Sequence, residues 1–120
     1  MTLISEKRIL WPEGEADRIT PEFGEFISFL VWNALTIVDM PGLTGDTELS
    51  IVIDRECPDG ATLIINIDQD ATARDVAFGN GLVSDDLVGV ANDKDTLTFV
   101  YNKPKGEFRL TSNQKTVSTS

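Results

Sequence analysis

From Glu25 onward, short runs of β-branched and aromatic residues alternate with clusters of turn formers: "DMPGLTGD", "CPDG", "GNG", "ANDKD" and "NKPKG". Runs this brief, closed by Gly, Pro, Asn and Asp, suit strands rather than helices of ordinary length. In "TLIINID", Leu63, Ile65 and Ile67 share one face while Ile64, Asn66 and Asp68 take the other, the two-residue period of a strand with one buried side. Arg74, Val76 and Phe78 repeat the pattern, as do Leu97, Phe99 and Tyr101, and Phe108 with Leu110 marks a short closing strand. The run "EFISFLVWNALTIV" is rich in residues suited to a pleated surface, so it reads as two strands or one strand bent at Asn33–Ala34. On this parity Trp32 belongs to the core and Tyr101 borders it.

This pattern predicts an all-β fold: a single antiparallel β-sandwich of about seven or eight strands, with a closed barrel as the alternative. Three regions follow. Residues 1–22 form an extended N-terminal arm with little periodicity and two prolines, residues 23–111 the sandwich, and residues 112–120 a flexible tail without an apolar face. At 120 residues the chain can bury one modest core. On the arm, Leu10, Trp11 and Pro12 are candidates for an assembly interface, because exposed apolar residues on an arm tend to dock onto a surface.

Charge narrows the partners. Twenty acidic residues against ten basic ones give a formal charge of −10, which repels phosphate backbones and argues against nucleic acid. The apolar stretch from Phe26 to Val38 falls short of the roughly 20 residues a membrane helix needs. The first residues, "MTLISEKRILWPEGE", carry charges where a secretory leader would be apolar, so synthesis in a cytoplasm without secretion is expected. The sequence contains no histidine and one cysteine, Cys57, which leaves that thiol without the usual base for nucleophilic catalysis.

The densest cluster of polar chemistry is "INIDQDATARDVAFGNG". If Leu63–Ile67 and Arg74–Phe78 are neighbouring strands, Asp68, Gln69, Asp70 and Thr72 form their turn, and Arg74 ties the strands together by finding a carboxylate or carbonyl partner, with Asp68, Asp70 and Gln69 the nearest candidates. The rival reading is calcium: Asp68, Asp70 and Asp75 offer hard oxygen ligands, with Asp93 and Asp95 as a second acidic pair, but neither has the spacing or glycine of an EF-hand loop. Carboxylate catalysis by Asp68, Asp70 or Asp85 would need two acids held across a cleft. No phosphate loop or nucleophile elbow is present in the sequence. The reading is therefore a non-enzymatic protein with no catalytic residue, no metal and no cofactor.

The segments "GATLIINIDQDATARDVAFGNG" and "VGVANDKDTLTFVYNKPKGEFRL" together resemble a β-module of bacteriophage virion proteins of the tail-fibre, head-fibre and capsid-decorating type. The resemblance lies in Gln69 to Thr72, Arg74, Val76 and Phe78, then Ala91, Asn92 and Asp95, then Phe99 to Tyr101, and extends over roughly Phe23 to Leu110. Ala73 stands where such modules often carry extra glycines, and "NGLVSDDLVG" is shorter than their usual loop. The resemblance implies a structural role in a virion, contacts with the major capsid protein or other virion proteins, and a homo-oligomer, with a trimer as the common arrangement. A chain of this length and acidity fits a capsid-decorating or head-fibre protein on the outer surface of the particle. A tail-fibre or glycan-binding and receptor-binding module is the alternative.

Overall fold

The computed structural model describes residues 16–117. Nine strands follow in chain order: β1 (Asp17–Ile19), β2 (Phe26–Val31), β3 (Leu35–Asp39), β4 (Thr47–Ile53), β5 (Thr62–Asp68), β6 (Val76–Phe78), β7 (Leu82–Val83), β8 (Asp93–Asn102) and β9 (Glu107–Val117). A single 3₁₀ turn, Lys103–Lys105, joins the last two and closes on Gly106, whose φ of 67° is the left-handed cap that favours glycine. The fold is all-β.

The strands form two sheets, one of six in the order β1-β3-β5-β8-β9-β7 and one of three in the order β2-β4-β6. From β1 to β6 the chain changes sheet at every strand, so β1, β3 and β5 stack in parallel on one side and β2, β4 and β6 stack in parallel on the other. This is a solenoid-like winding. The expected antiparallel sandwich is corrected here, since only β5–β8 and β8–β9 are antiparallel pairs among the described strands. The reason is physical: a two-residue period places side chains on faces but says nothing about strand direction. Connections as short as residues 32–34 also resemble hairpin turns, yet this one carries the chain across the core into the other sheet.

The two inner faces share one core. Val38, Leu63, Ile65, Ile67, Leu97 and Phe99 from the larger sheet meet Ile27, Val31, Leu49, Ile51 and Val76 from the smaller. Leu63, Ile65 and Ile67 are fully buried, as their alternation predicts. Tyr101 is buried and stacks on Phe108 with ring centroids 4.8 Å apart, and Phe78 packs against Phe99 at 5.5 Å. On the outer face of the larger sheet a polar ladder crosses four strands. Arg18 pairs with Asp39, Asn66 Nδ2 donates to Asp39 Oδ1 at 2.9 Å, and Thr96 Oγ1 donates to Asn66 Oδ1 at 3.0 Å. Such a ladder favours one register, because a slip of one residue would turn these groups into the core.

The boundaries also differ from the sequence reading. β1 lies inside the stretch expected as an arm and pairs with β3. β9 continues through Val117, well into the expected flexible tail, and stays paired with β8 as far as Asp93. A strand on a solvated sheet face needs no apolar period when its partner supplies the ladder, and "TSNQKTV" has none.

Candidate functional site

The segment between β5 and β6 is a crossover between the sheets, so Arg74 does not sit on a strand beside Leu63–Ile67. Gln69 is its keystone. The side chain is buried, its Nε2 donates to the Arg74 carbonyl at 2.9 Å, and its Oε1 accepts from the Arg74 N–H at 3.0 Å. One amide side chain thus reproduces the donor–acceptor pair of a β-bridge. Asp70 Oδ1 accepts from the Thr72 N–H at 2.8 Å, forming an Asx turn, and the Asp70 carbonyl accepts from Asn92 N–H at 2.8 Å.

Beyond the loop, the backbone of residues 74 and 75 is gripped from other sides. Asp46 Oδ1 accepts from Asp75 N–H at 2.9 Å, the Asp75 carbonyl accepts from Thr47 N–H at 3.1 Å, and Asp75 Oδ1 accepts from Gly89 N–H at 3.0 Å. Gly89 lies so close to Arg74 that a Cβ there would come within 2.1 Å of its carbonyl oxygen.

The expected ion pair is not made. Asp68 instead faces Lys94, with Oδ2 to Nζ at 3.3 Å, and Arg74 Nε is buried without a hydrogen-bond partner. The segment is a crossover between the sheets and not the turn between neighbouring strands that its composition suggests, and Gln69 and the backbone hold it rather than the guanidinium. Of the three candidate partners of Arg74, Gln69 is the one that reaches it, and it does so through the Arg74 backbone rather than the guanidinium.

The acidic residues are scattered among structural tasks. Among the described residues, no group of three or more His, Cys, Asp or Glu side chains is arranged to hold a metal ion. Asp68, Asp70 and Asp75 are engaged by Lys94, Thr72 and Gly89 respectively. Asp93 and Asp95 lie buried at the start of β8, with Asp95 opposite Ile67 in register. Asp85 and Asp86 line an open groove of about 590 Å³ together with Phe78, Leu87, Leu97 and Arg109. Cys57 is fully buried, and burial pushes its thiol up, away from the thiolate a nucleophile needs.

Among the described residues, exposed large apolar side chains occur at Val88 and Val90 and, in greater number, on the outer face of the three-stranded sheet. In β2 the odd residues Ile27 and Val31 point inward and the even residues Phe26, Ser28 and Leu30 outward. Phe26 is 76% exposed and Leu30 48%, and Leu30 lies in register beside Val52 of β4, which is 58% exposed. Trp32, just past the end of β2, is 48% exposed, which corrects its assignment to the core. It follows the even residues outward, a parity that was readable in "FISFLVW". Leu10, Trp11 and Pro12 lie outside the described residues. Comparison with protein-family models, with curated proteins and with solved structures finds no match.

Proposed function

We propose that the chain is a non-enzymatic structural protein of a bacteriophage virion, of the capsid-decorating or head-fibre type, that acts through assembly contacts. The observation that carries this reading is the exposed apolar row of Phe26, Leu30, Val52 and Trp32 on the outer face of the smaller sheet. Aliphatic and aromatic side chains gathered on one sheet face, in an otherwise highly acidic chain, are the mark of a contact surface. The resemblance in Gln69–Thr72, Arg74, Val76 and Phe78 supports it, since these residues sit in the framework that fixes the crossover. A charge of −10 suits the outside of a particle, away from packaged DNA. The partners on this reading are the major capsid protein or another virion protein, and further copies of the chain itself.

Quantitative mass spectrometry of purified particles tests it. Hundreds of copies relative to the major capsid protein indicate decoration, and a few to a few dozen indicate a fibre or vertex. Absence of the chain from particles overturns the proposal.

A tail-fibre or glycan-binding module is the second reading, favoured by the half-exposed Trp32, whose indole face could stack on a sugar ring. Glycan-array binding that disappears in Trp32→Ala supports it; silence of the wild-type chain on the array argues against it.

A further inference from the structure

Among the described residues β2 is an edge strand with no second strand beside it, and it is the edge with an uncharged, apolar sequence. Its partner β4 is bonded through the carbonyls of Glu25 and Val31, which accept from Glu48 N–H and Asp54 N–H at 2.9 Å each. In a parallel ladder the residues facing one neighbour recur every second position, so Ile27 and Phe29 also face β4. Phe26, Ser28 and Leu30 therefore present their N–H and C=O groups to the open side. The other edges are short, charged or polar: β1 carries Asp17 and Arg18, β7 has only two residues, β9 beyond Arg109 has no second strand partner among the described residues but reads "LTSNQKTV" with a lysine, and β6 has three residues and is bridged at Val76 by Leu87. β2 has six residues and neither a charge nor a proline.

We infer that this edge is a two-fold interface between two copies of the chain, with β2 pairing antiparallel to β2 about an axis through Ser28. Three observations select a second copy as the occupant. First, the pattern is self-complementary. With the axis on Ser28, Phe26 lies opposite Leu30 of the second copy and Ser28 opposite itself, so every open donor and acceptor of the strand meets its counterpart. Centring the axis one residue later would leave Phe26 without a partner inside the strand. Second, the side chains agree: Phe26 packs beside Leu30 of the second copy on the outer face, and Ile27 beside Phe29 on the inner face. Third, the charge permits it. Two chains of −10 repel, and β2 is a strand without charge whose flanking Glu25 would stand opposite Val31 rather than another carboxylate. The three-stranded sheet then continues across the axis as β6-β4-β2-β2-β4-β6, and on its outer face Val52 and Leu30 of each copy meet Phe26 of the other, on either side of the central serines. This pairing does not depend on whether the second contact surface belongs to a virion.

Light scattering on the full chain should give a mass of about twice 13.2 kDa. Ser28→Lys places two ammonium groups directly opposite each other at the axis, where like charges destabilise the pair, while in a single chain the lysine stands in solvent. It is expected to elute as a monomer with an unchanged far-UV circular dichroism spectrum. Ser28→Cys is expected to form a disulfide-linked dimer on mild oxidation, because Cα atoms of a hydrogen-bonded antiparallel pair lie about 5.5 Å apart, within disulfide reach. Ser50→Cys, in register with Ser28 but one strand further in, is the control: its two copies would stand roughly 14 Å apart and stay reduced. Cys57 is buried and does not compete. A wild-type monomer at all concentrations overturns the inference, including one whose Phe26, Ser28 and Leu30 amides are protected from exchange by a segment of the same chain. Equal cross-linking of the two cysteine variants, or a dimer that survives Ser28→Lys, overturns it as well.

Discussion

Replacing Gln69 by alanine tests the account of the crossover. The substitution removes two neutral hydrogen bonds, at 2.9 and 3.0 Å, and exposes a cavity beside the Arg74 backbone. Each bond is worth about 1 kcal/mol net, and a buried backbone group left without a partner costs about 1–3 kcal/mol. Arg74 is half-buried, so water can reach part of the gap, and the expected loss settles near about 2 kcal/mol rather than the upper limit. With a urea slope of roughly 1.5 kcal/mol per molar for a domain of this size, the unfolding midpoint should fall by about 1.3 M. Urea titration followed by circular dichroism reads this directly. The companion variant is Arg74→Met, which keeps most of the stem and deletes the guanidinium. Since Arg74 Nε lies buried without an acceptor, its loss should leave stability unchanged or raise it by up to about 1 kcal/mol. If Arg74→Met is the more damaging of the two, an arginine ion pair holds this segment and the role given to Gln69 is wrong.

Thr36 sits in β3 with its hydroxyl buried and unpartnered, so the near-isosteric Thr36→Val should raise stability by about 1 kcal/mol, seen as a melting midpoint about 3–5 °C higher. Gly89→Ala would drive a methyl into the Arg74 backbone and should lose about 1–3 kcal/mol, whereas Gly42→Ala, with nothing within 4 Å of the added carbon, should be close to neutral in the same urea assay. The Asp39 carboxyl is held below the ordinary carboxylate value, first by the hydrogen bond from Asn66, against the opposing effect of burial, and further by Arg18. A depressed folded value means that this stabilisation is present above the unfolded carboxylate pKa and is lost as pH falls through the folded one. Asn66→Leu should therefore raise the Asp39 titration midpoint, measured by carboxyl-carbon NMR, and an unmoved midpoint would remove Asn66 as the cause.

The sequence is most legible where side chains report faces. Leu63, Ile65 and Ile67, and later Leu97, Phe99 and Tyr101, occupy the core as their alternation requires. It is least legible where backbone direction matters, because "TIV" of β3 and "IIN" of β5 would show the same alternation in a parallel or an antiparallel pair. The same gap governs Arg74: a hairpin would set it beside Asp68, and a crossover does not. The expected tail failed for a related reason, since β9 is held by a ladder to β8 that leaves no mark in its own side chains. Trp32 was misplaced despite a readable parity, because aromatic residues in an apolar run default to the core.

The two ends of the winding are finished differently. At one end β8 and β9 fold back as an antiparallel pair beside β5, presenting Lys94, Thr96 and Thr98 on the outer face. Repetitive stacks need a polar terminal layer to remain soluble, and this hairpin supplies one to the larger sheet. At the other end β1 provides the same protection to that sheet through Asp17 and Arg18, but β2, the terminal strand of the smaller sheet, provides none. An uncharged terminal strand is a liability in a free monomer and an asset in an assembly, because the groups that would recruit stray chains are those that a defined partner satisfies. The same end carries the apolar row of Phe26, Leu30 and Trp32. Edge and face are therefore adjacent: pairing through the edge would leave the outer face of both copies on one continuous sheet, available to a second, larger partner.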